Sequence, residues 1–316
     1  MGGDLGGNLG GDLSPSLDAL EARWGRTGAV RFAERYGGPV ALLQAGGATA
    51  VVALQGAQVF SYVPENHSEV LWLSPVAKLG TGKAVRGGVP VCWPWFGPHP
   101  SDPTKPAHGF VRASPWTVTG SAAKPGRARL VLAYDAGPKT QPDWPHRALA
   151  EIEITLAQTL TIALSTENRG NNDVLLTQAL HTYLAVGDTG AVSVNGFEDR
   201  PYLDQLAPGP MRIAAEPVRI TTEIDRIYQE CDAPVIVTDK QSGRRIHIAK
   251  TGSRSTVLWN PGREKSARLG DMGGDMGHEG YRRMLCVEAA NAGNDTVTLA
   301  PGERHRLTTE LSVTNI

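Results

Sequence analysis

The chain has 316 residues, of which 41% are hydrophobic and 20% charged, a composition typical of a globular protein with one large core or two modest ones. Its formal net charge of -1 excludes a bulk attraction to nucleic acid or to an anionic membrane surface. No apolar run reaches the roughly 18 residues that a membrane-spanning helix needs. The 37 glycines and 22 prolines, set among many short apolar runs, favour a turn-rich β protein.

Residues 1–15 are glycine-rich and repeat a GGD/GGN pattern. Such low-complexity sequence cannot bury a core, so we predict that this segment is disordered. It also lacks the basic and apolar regions of a secretory signal, and we therefore expect a cytoplasmic protein. The cysteine count is odd, at three, and no CxxC spacing occurs, which predicts reduced thiols and no disulfide framework.

The first regular element is predicted to be a short helix over LDALEARW, capped by Ser16 and ended by Gly25. Strand patterns follow. In ALAEIEITLAQTLTIALSTEN one parity holds Ile152, Ile154, Leu156, Leu160, Ile162 and Leu164, and the other holds Glu151, Glu153, Thr155, Thr159, Thr161 and Ser165. This stretch is too long for one typical strand, so we predict a hairpin that turns near Ala157-Gln158.

Short strand patterns continue to the C-terminus, where ERHRLTTELSV places Leu307, Thr309, Leu311 and Val313 on one face. The segments PGREKSARLGDM and Pro142–His146 are predicted to be surface loops. No linker divides the rest of the chain, so residues 16–316 are predicted to form a single all-β domain, a large antiparallel sandwich.

Several polar residues lie in apolar or aromatic surroundings. His181 and Glu288 sit within strand patterns, and Asp225 lies in EIDRIY. The aromatic and proline-rich segment GGVPVCWPWFGPHP, which includes Trp95, follows Arg86. HGFVR, with His108 and Arg112 at its ends, comes shortly after. Each residue alone is more typical of a structural role than of a catalytic one, but together they form an ordered set of motifs.

These motifs resemble the aldose 1-epimerase superfamily, and specifically its hexose-6-phosphate mutarotase branch. RGGVPVCWPWFG, HGFVR, HTYL, IDRIY, WNP and VEAA match, in order, the family patterns RGGIPICWPWFG, HGFAR, HTYF, VDRIY, NPW and IEP/VEAA. The resemblance runs from about residue 30 to the C-terminus. The chain departs from the family at Val111, where alanine is usual, at Ala107, where some members carry a polar sugar-contacting residue, and after Pro261, where tryptophan is usual.

The resemblance implies a galactose mutarotase-like β-supersandwich and a 1-epimerase that interconverts α and β anomers without a cofactor or a metal. Ring opening requires a proton at the ring oxygen O5 and the loss of one from the O1 hydroxyl. Imidazole titrates near neutral pH, which makes His181 the natural acid. Partial burial would raise the pKa of Glu288 and make it the natural base. The family assigns the same roles to these two positions.

The resemblance further implies that His108 orients the reacting oxygens and that Asp225 binds sugar hydroxyls. Aromatic side chains such as Trp95 offer a flat wall for the C–H face of a pyranose, with either Trp93 or Trp95 at that wall and the other in the core. Arg86 and Arg112 fit a 6-phosphate clamp, because guanidinium binds phosphate oxygens bidentately.

The expected partner is a small sugar phosphate, chiefly glucose 6-phosphate, with no nucleic acid or membrane. We expect a monomer or a weak homodimer. Two alternatives stay open: a mutarotase of unphosphorylated aldoses and a non-catalytic sugar-phosphate-binding protein.

Overall fold

The computed structural model describes residues 15–142, 144–214, 216–272 and 277–316. Residues 1–14 of the glycine-rich segment lie outside the described residues, so the disorder of residues 1–15 stays a prediction. The described residues form 23 strands, two α-helices and three 3₁₀ turns. Helix α1 spans Leu17–Trp24 and α2 spans Gly262–Leu269, and the 3₁₀ turns are Val111–Ala113, Thr189–Ala191 and Gly277–Arg283.

The strands follow one another along almost the whole chain. The first twelve are β1 Val30–Arg35, β2 Gly38–Ala45, β3 Ala48–Ala53, β4 Gln58–Val63, β5 Val91–Cys92, β6 Thr117–Lys124, β7 Arg127–Ala136, β8 Ala148–Leu156, β9 Leu160–Asn168, β10 Val174–Leu176, β11 Gln178–Leu180 and β12 Tyr183–Ala185. The remaining eleven are β13 Val192–Asn195, β14 Pro201–Asp204, β15 Arg212–Ile213, β16 Val218–Arg219, β17 Ile224–Tyr228, β18 Val235–Asp239, β19 Arg244–Thr251, β20 Ser255–Asn260, β21 Met284–Asn291, β22 Val297–Leu299 and β23 Arg304–Asn315.

Two large antiparallel sheets dominate the fold. One has nine strands in the order β16-β13-β18-β19-β23-β9-β8-β7-β6. The other has the order β15-β14-β17-β20-β21-β11-β5, with β12 paired to β21 as its eighth strand. A four-stranded sheet, β1-β2-β3-β4, adds its apolar face to the same core, and β10 pairs with β22. The predicted all-β antiparallel architecture is confirmed.

The alternation of side chains along β21 separates the core from a second apolar layer. Leu285, Val287 and Ala289 share the main hydrophobic core with strands of the nine-stranded sheet. Cys286 and Ala290 point the other way, into a smaller apolar cluster. Because successive strand residues face opposite sides, β21 is buried on both faces, and its even-numbered positions are free to build a site.

Local predictions hold where the capping or the periodicity is strong. The Ser16 hydroxyl accepts a hydrogen bond from the Ala19 amide at the start of α1, as predicted. The predicted hairpin is confirmed, since β8 ends at Leu156 and β9 begins at Leu160. The alternating face of β23 is confirmed too, with Leu307, Thr309 and Leu311 buried and Val313 partly buried.

The prediction of a loop over PGREKSARLGDM is wrong, because residues 262–269 form α2. Good helix formers fill this segment, and Gly270 ends it in the left-handed conformation at φ 68°. Its apolar periodicity is weak because only Gly262 and Ser266 are buried, so the pattern that reveals most surface helices is missing. Among the described residues, no helix is long and apolar enough to cross a membrane.

Glycines allow the backbone to approach closely around the aromatic and proline-rich segment. Gly109 has φ 75°, and a Cβ placed on it would lie 1.7 Å from the Trp93 carbonyl oxygen. Gly88 has φ 60°, and its Cβ would lie 2.1 Å from the Val59 carbonyl oxygen. These two contacts explain the second glycine of the RGG motif and the glycine of the HGF motif, since no other residue fits both the space and the backbone angle.

Gly109→Ala is expected to lower the free energy of unfolding by about 2–4 kcal/mol, because it adds a steric overlap to the cost of a left-handed backbone. Gly126→Ala is the matched control. Gly126 has φ 68°, and a Cβ placed on it would meet nothing within 4 Å, so the cost should be about 1 kcal/mol. Urea unfolding measures both values, and equal losses would contradict the close approach.

Candidate active site

A cavity of about 290 Å³ lies on the face of the eight-stranded sheet that points away from the main core. It gathers residues of both charges, imidazole groups and aromatic rings. Its lining residues are Arg86, Phe96, His108, Arg112, His181, Tyr183, Asp225, Val257, Trp259, Lys265, Leu269 and Glu288. Six of the seven site residues predicted from the sequence therefore share one cavity, and only Trp95 is missing from this lining.

A larger cavity of about 630 Å³ lies beside β1, β2 and β3. Its described lining residues include Arg31 and Arg35 but no carboxylate and no imidazole. Acid–base chemistry needs groups that can donate and accept a proton, so the smaller cavity is the candidate active site.

Strand register brings the residues of the small cavity together. Asp225 on β17 pairs with Trp259 on β20, Trp259 pairs with Cys286 on β21, and Cys286 pairs with Tyr183 on β12. In the next row along β21, Glu288 pairs with Val257. Residues that are directly opposite in an antiparallel sheet point to the same face, so these strands build a continuous floor.

His181 and Glu288 lie against each other in this floor. His181 Nδ1 is 3.3 Å from Glu288 Oε1, and the side chains are 10% and 1% exposed. His181 Nδ1 and Glu288 Oε2 are buried atoms without a hydrogen-bond partner in the described part of the chain. An unsatisfied buried polar atom is costly, and such atoms are common where a ligand is needed to complete the site.

Burial moves both groups toward their neutral forms. It raises the pKa of Glu288 well above its usual range, and the charge of Asp225 adds to that effect. Burial lowers the pKa of His181 well below its usual value, and His108, Arg112 and Arg86 lower it further. A protonated Glu288 beside a neutral His181 holds the same number of protons as an ionised Glu288 beside a charged His181. These two states differ only in which group holds the proton, and the pair has no net charge in either of them.

His108 is held in one tautomer by the loop that follows Trp95. It has φ 65°, and its Nδ1 accepts a hydrogen bond of 3.2 Å from the Gly97 amide. Nδ1 is therefore unprotonated, and a neutral ring must carry its proton on Nε2. Burial, together with the charges of Arg112 and Arg86, lowers the pKa of His108 to about 3. The ring offers one N–H donor beside His181 and Glu288, since its centroid is 5.8 Å from that of His181.

Arg86 and Arg112 differ in how many hydrogen-bond partners their guanidinium groups have within the protein. Arg86 donates from Nε to Asp271 Oδ1 at 2.6 Å and from Nη1 to the Tyr183 hydroxyl at 3.3 Å. Arg112 donates from Nη2 to the Ala107 carbonyl oxygen at 2.6 Å, and its buried Nε has no partner in the described structure. Guanidinium groups held in this way present fixed donors to an anion in the cavity.

Asp225 lies on the far side of Trp259 from Cys286, under α2. Burial raises the pKa of Asp225 to about 6, and the charge of Lys265 works against that rise. Lys265 Nζ is 3.0 Å from Glu223 Oε1 and 3.9 Å from Asp225 Oδ2. The helix that was predicted to be a loop thus supplies a cation beside this carboxyl group.

Trp95, which was predicted to contact the substrate, is not among the residues that line the cavity. The Trp95 indole N–H donates to the Pro106 carbonyl oxygen, and its ring packs edge-on against His99 and Phe110. Trp93 is fully buried in the core, where it donates to the Thr166 hydroxyl, as expected for one of the two tryptophans. Both indole N–H groups are satisfied inside the protein, and the aromatic rings that line the cavity come from elsewhere.

Phe96, Trp259 and Tyr183 supply those aromatic rings, and the Tyr183 ring stacks on the His181 ring at 4.7 Å. The sequence carried a signal for two of them. Tyr183 has the same strand parity as His181 in LHTYL, and Trp259 lies in the quoted motif WNP, on a fully buried strand. Lys265 gave no such signal, because a lysine in a polar segment is typical of a solvated surface.

The chain belongs to the aldose 1-epimerase family, whose pattern matches residues 39–312. A protein of Escherichia coli K12, provisionally named glucose-6-phosphate 1-epimerase, is 36% identical over 76% of this chain and 79% of its own length. A relative from the plant Cenchrus ciliaris, provisionally given the same name, is 30% identical over 81% of this chain and 79% of its own.

Solved structures give the same fold. A crystal structure from Salmonella typhimurium, provisionally described as a mutarotase, superposes with a TM-score of 0.84 at 28% identity, covering 92% of this chain and 95% of that one. A galactose 1-epimerase from Lactobacillus acidophilus superposes with a TM-score of 0.69 over 90% of this chain and 98% of its own. At 13% identity this second match supports the fold alone. The predicted galactose mutarotase-like sandwich is confirmed.

The neutral state of His108 is testable by nuclear magnetic resonance of protein labelled with ¹⁵N in histidine. We expect its ring signals to keep the Nε2–H pattern from pH 8 to pH 5, because its pKa of about 3 lies below that window. An ordinary histidine titrates near pH 6.5. The His108→Gln variant assigns the signals, and a titration midpoint inside the window would contradict the buried, acceptor-bonded ring.

Proposed function

We propose that the protein is a hexose-6-phosphate 1-epimerase that interconverts the α and β anomers of glucose 6-phosphate. The observation that carries the proposal is the contact between His181 and Glu288 in the floor of a cavity that Arg86 and Arg112 also line. The names given to the relatives at 30–36% identity support the choice of substrate. The protein is further proposed to work in the cytoplasm as a monomer or weak homodimer.

One proton, shared by His181 and Glu288, is enough for both the opening and the closing of the sugar ring. His181 donates a proton to O5 while Glu288 accepts one from the O1 hydroxyl, which breaks the C1–O5 bond and leaves an aldehyde. The proton then resides on Glu288, beside a neutral His181. After rotation about C1–C2, Glu288 returns a proton to O1 and His181 takes one from the O5 hydroxyl. Both groups are regenerated, and the proton count of the pair never changes.

Burial supports this cycle because it shifts the pair toward the state that is reached after ring opening. In water the carboxylate and the imidazolium would both be favoured, and the proton would remain on the histidine. Desolvation raises the pKa of Glu288 and lowers that of His181, so the state reached after ring opening is stabilised relative to the state before it.

The remaining polar groups provide contacts for the sugar. The ionised Asp225 carboxylate accepts hydrogen bonds from ring hydroxyls, and the Nε2–H of His108 donates to an oxygen near C1. The faces of Trp259 and Phe96 provide apolar area for the C–H face of the ring. Trp95 is not assigned this role, because its ring packs against protein side chains.

The 6-phosphate is proposed to bind Arg86 and Arg112. Arg86 keeps part of its guanidinium free after its bonds to Asp271 and Tyr183, and Arg112 has an Nε–H without a partner in the described structure. A sugar phosphate carries nearly two negative charges at neutral pH, which supports a cavity with two arginines for a phosphorylated substrate.

His181→Ala and Glu288→Gln are each expected to slow enzyme-dependent anomeric exchange of glucose 6-phosphate by about 10²–10⁴-fold, because each removes one proton-transfer partner. Exchange spectroscopy measures the rate after the spontaneous exchange has been subtracted. Calorimetry should show that binding of the sugar is largely kept. His67→Ala and Glu264→Gln change the same residue types outside the cavity lining and should be neutral. Near-normal turnover in either site variant would contradict the assigned roles.

Arg86→Ala and Arg112→Ala are each expected to lower kcat/KM for glucose 6-phosphate by about 10- to 100-fold, mainly through KM, since each removes charge-assisted hydrogen bonds. Activity on free glucose should change by less than about threefold. Lys83→Ala removes an exposed cation outside the cavity lining and serves as the control. Equal losses on both sugars would favour the mutarotase of unphosphorylated aldoses.

A further inference from the structure

Cys286 has no part in the proposed reaction, yet it lies beside the acid–base pair. It is fully buried, two residues before Glu288 on the same face of β21, and it pairs across the sheet with Tyr183 and Trp259. One ligand atom each from His181, Cys286 and Glu288 all lie within 4.8 Å of one another. An imidazole nitrogen, a sulfur and a carboxylate oxygen are the three ligand types that zinc binds in proteins.

We propose that this triad, defined as His181, Cys286 and Glu288, binds one Zn²⁺ ion and that the bound ion inhibits the enzyme reversibly. The ion is an inhibitor that occupies the proton-transfer groups and takes no part in the chemistry. Three protein ligands leave the fourth position of a tetrahedral zinc to water or to a sugar oxygen, so zinc should compete with the substrate. The inhibition, though not the binding, rests on the proposed function.

Two buried polar atoms of the triad are available to bind a ligand. His181 Nδ1 and Glu288 Oε2 have no hydrogen-bond partner among the described residues, and their side chains are at least nine-tenths buried. Zinc–ligand bonds of about 2.0–2.3 Å place tetrahedral donor atoms about 3.3–3.8 Å apart. The 3.3 Å contact of His181 Nδ1 with Glu288 Oε1 fits this spacing. All three ligand atoms lie within 4.8 Å of one another, so movements of about 1 Å bring every pair into the same range.

The charge balance also suits a buried site. Zinc displaces the thiol proton of Cys286 and the one proton shared by His181 and Glu288. The two protons leave to solvent, and a +2 ion with one thiolate and one carboxylate has no net charge. The cluster is therefore neutral before and after binding, which avoids the cost of a buried net charge.

The positively charged side chains around the triad restrict which metal ions can bind there. Arg86 and Arg112 line the same cavity and disfavour any cation there. Hard ions such as Mg²⁺ bind mainly through oxygen ligands, and this triad offers only one carboxylate. Thiolate and imidazole bind Zn²⁺ and Co²⁺ strongly enough to offset that repulsion.

The test uses Co²⁺ as a spectroscopic substitute for Zn²⁺ on metal-free full-length protein. Wild type should show a sulfur-to-cobalt charge-transfer band with one Co²⁺ per chain. Cys286→Ala and Cys286→Ser should lack the band and bind Zn²⁺ on the order of 100-fold more weakly or worse, since the loss of an outer contact alone costs about 10–100-fold. Cys231→Ser, which removes another buried thiol, should behave as wild type.

Activity gives a second, separable result. Zn²⁺ should slow the anomeric exchange catalysed by wild type, EDTA should restore it, and Cys286→Ala should keep near-wild-type basal activity without inhibition at that Zn²⁺ concentration. Absence of the band in wild type, or an unchanged Zn²⁺ affinity in a folded Cys286 variant, would overturn the proposal. A protein that shows the band but no epimerase activity would support the metal site and overturn the proposed function alone.

Discussion

The burial of an ionisable pair is the constraint on which the site depends. Burial disfavours a charge on either His181 or Glu288 alone, because water is nearly excluded and no described donor or acceptor replaces it fully. A pair that shares one proton carries no net charge, which limits the cost of burying both groups. Such a pair suits the proton exchange that we propose for ring opening.

The sheet makes this burial possible. β21 lies between β20 and β11 and has every residue buried, with Val287 in the main core and Glu288 on the opposite face. A glutamate on an exposed face would remain solvated and would keep an ordinary pKa. The site therefore needs a second apolar layer over the sandwich, which Cys92, Tyr183, Trp259 and their neighbours provide.

Sequence reasoning worked best where chemistry and strand parity agree. His181, Glu288 and Asp225 could be singled out because a polar residue within an apolar strand needs an explanation, and family motifs then placed them in one site. Strand patterns with strict alternation, such as β8 and β9, also predicted their hairpin correctly. These features are local, so they can be read from short stretches of the chain.

Sequence reasoning gave less where tertiary contacts decide the outcome. Trp95 is absent from the cavity lining, since its ring packs against His99 and Phe110 and its indole N–H donates to the Pro106 carbonyl, contacts that only the folded loop fixes. Helix α2 escaped prediction because its burial is slight, yet it brings Lys265 to within 3.9 Å of Asp225. Its position follows from β20, which ends at Asn260 beside the site, where the Asn260 side chain accepts from the Gly262 amide and fixes the start of the helix. The polar surface of α2 thus contributes to the pocket because the strand before it ends there, a relation that no periodicity in the helix itself could reveal.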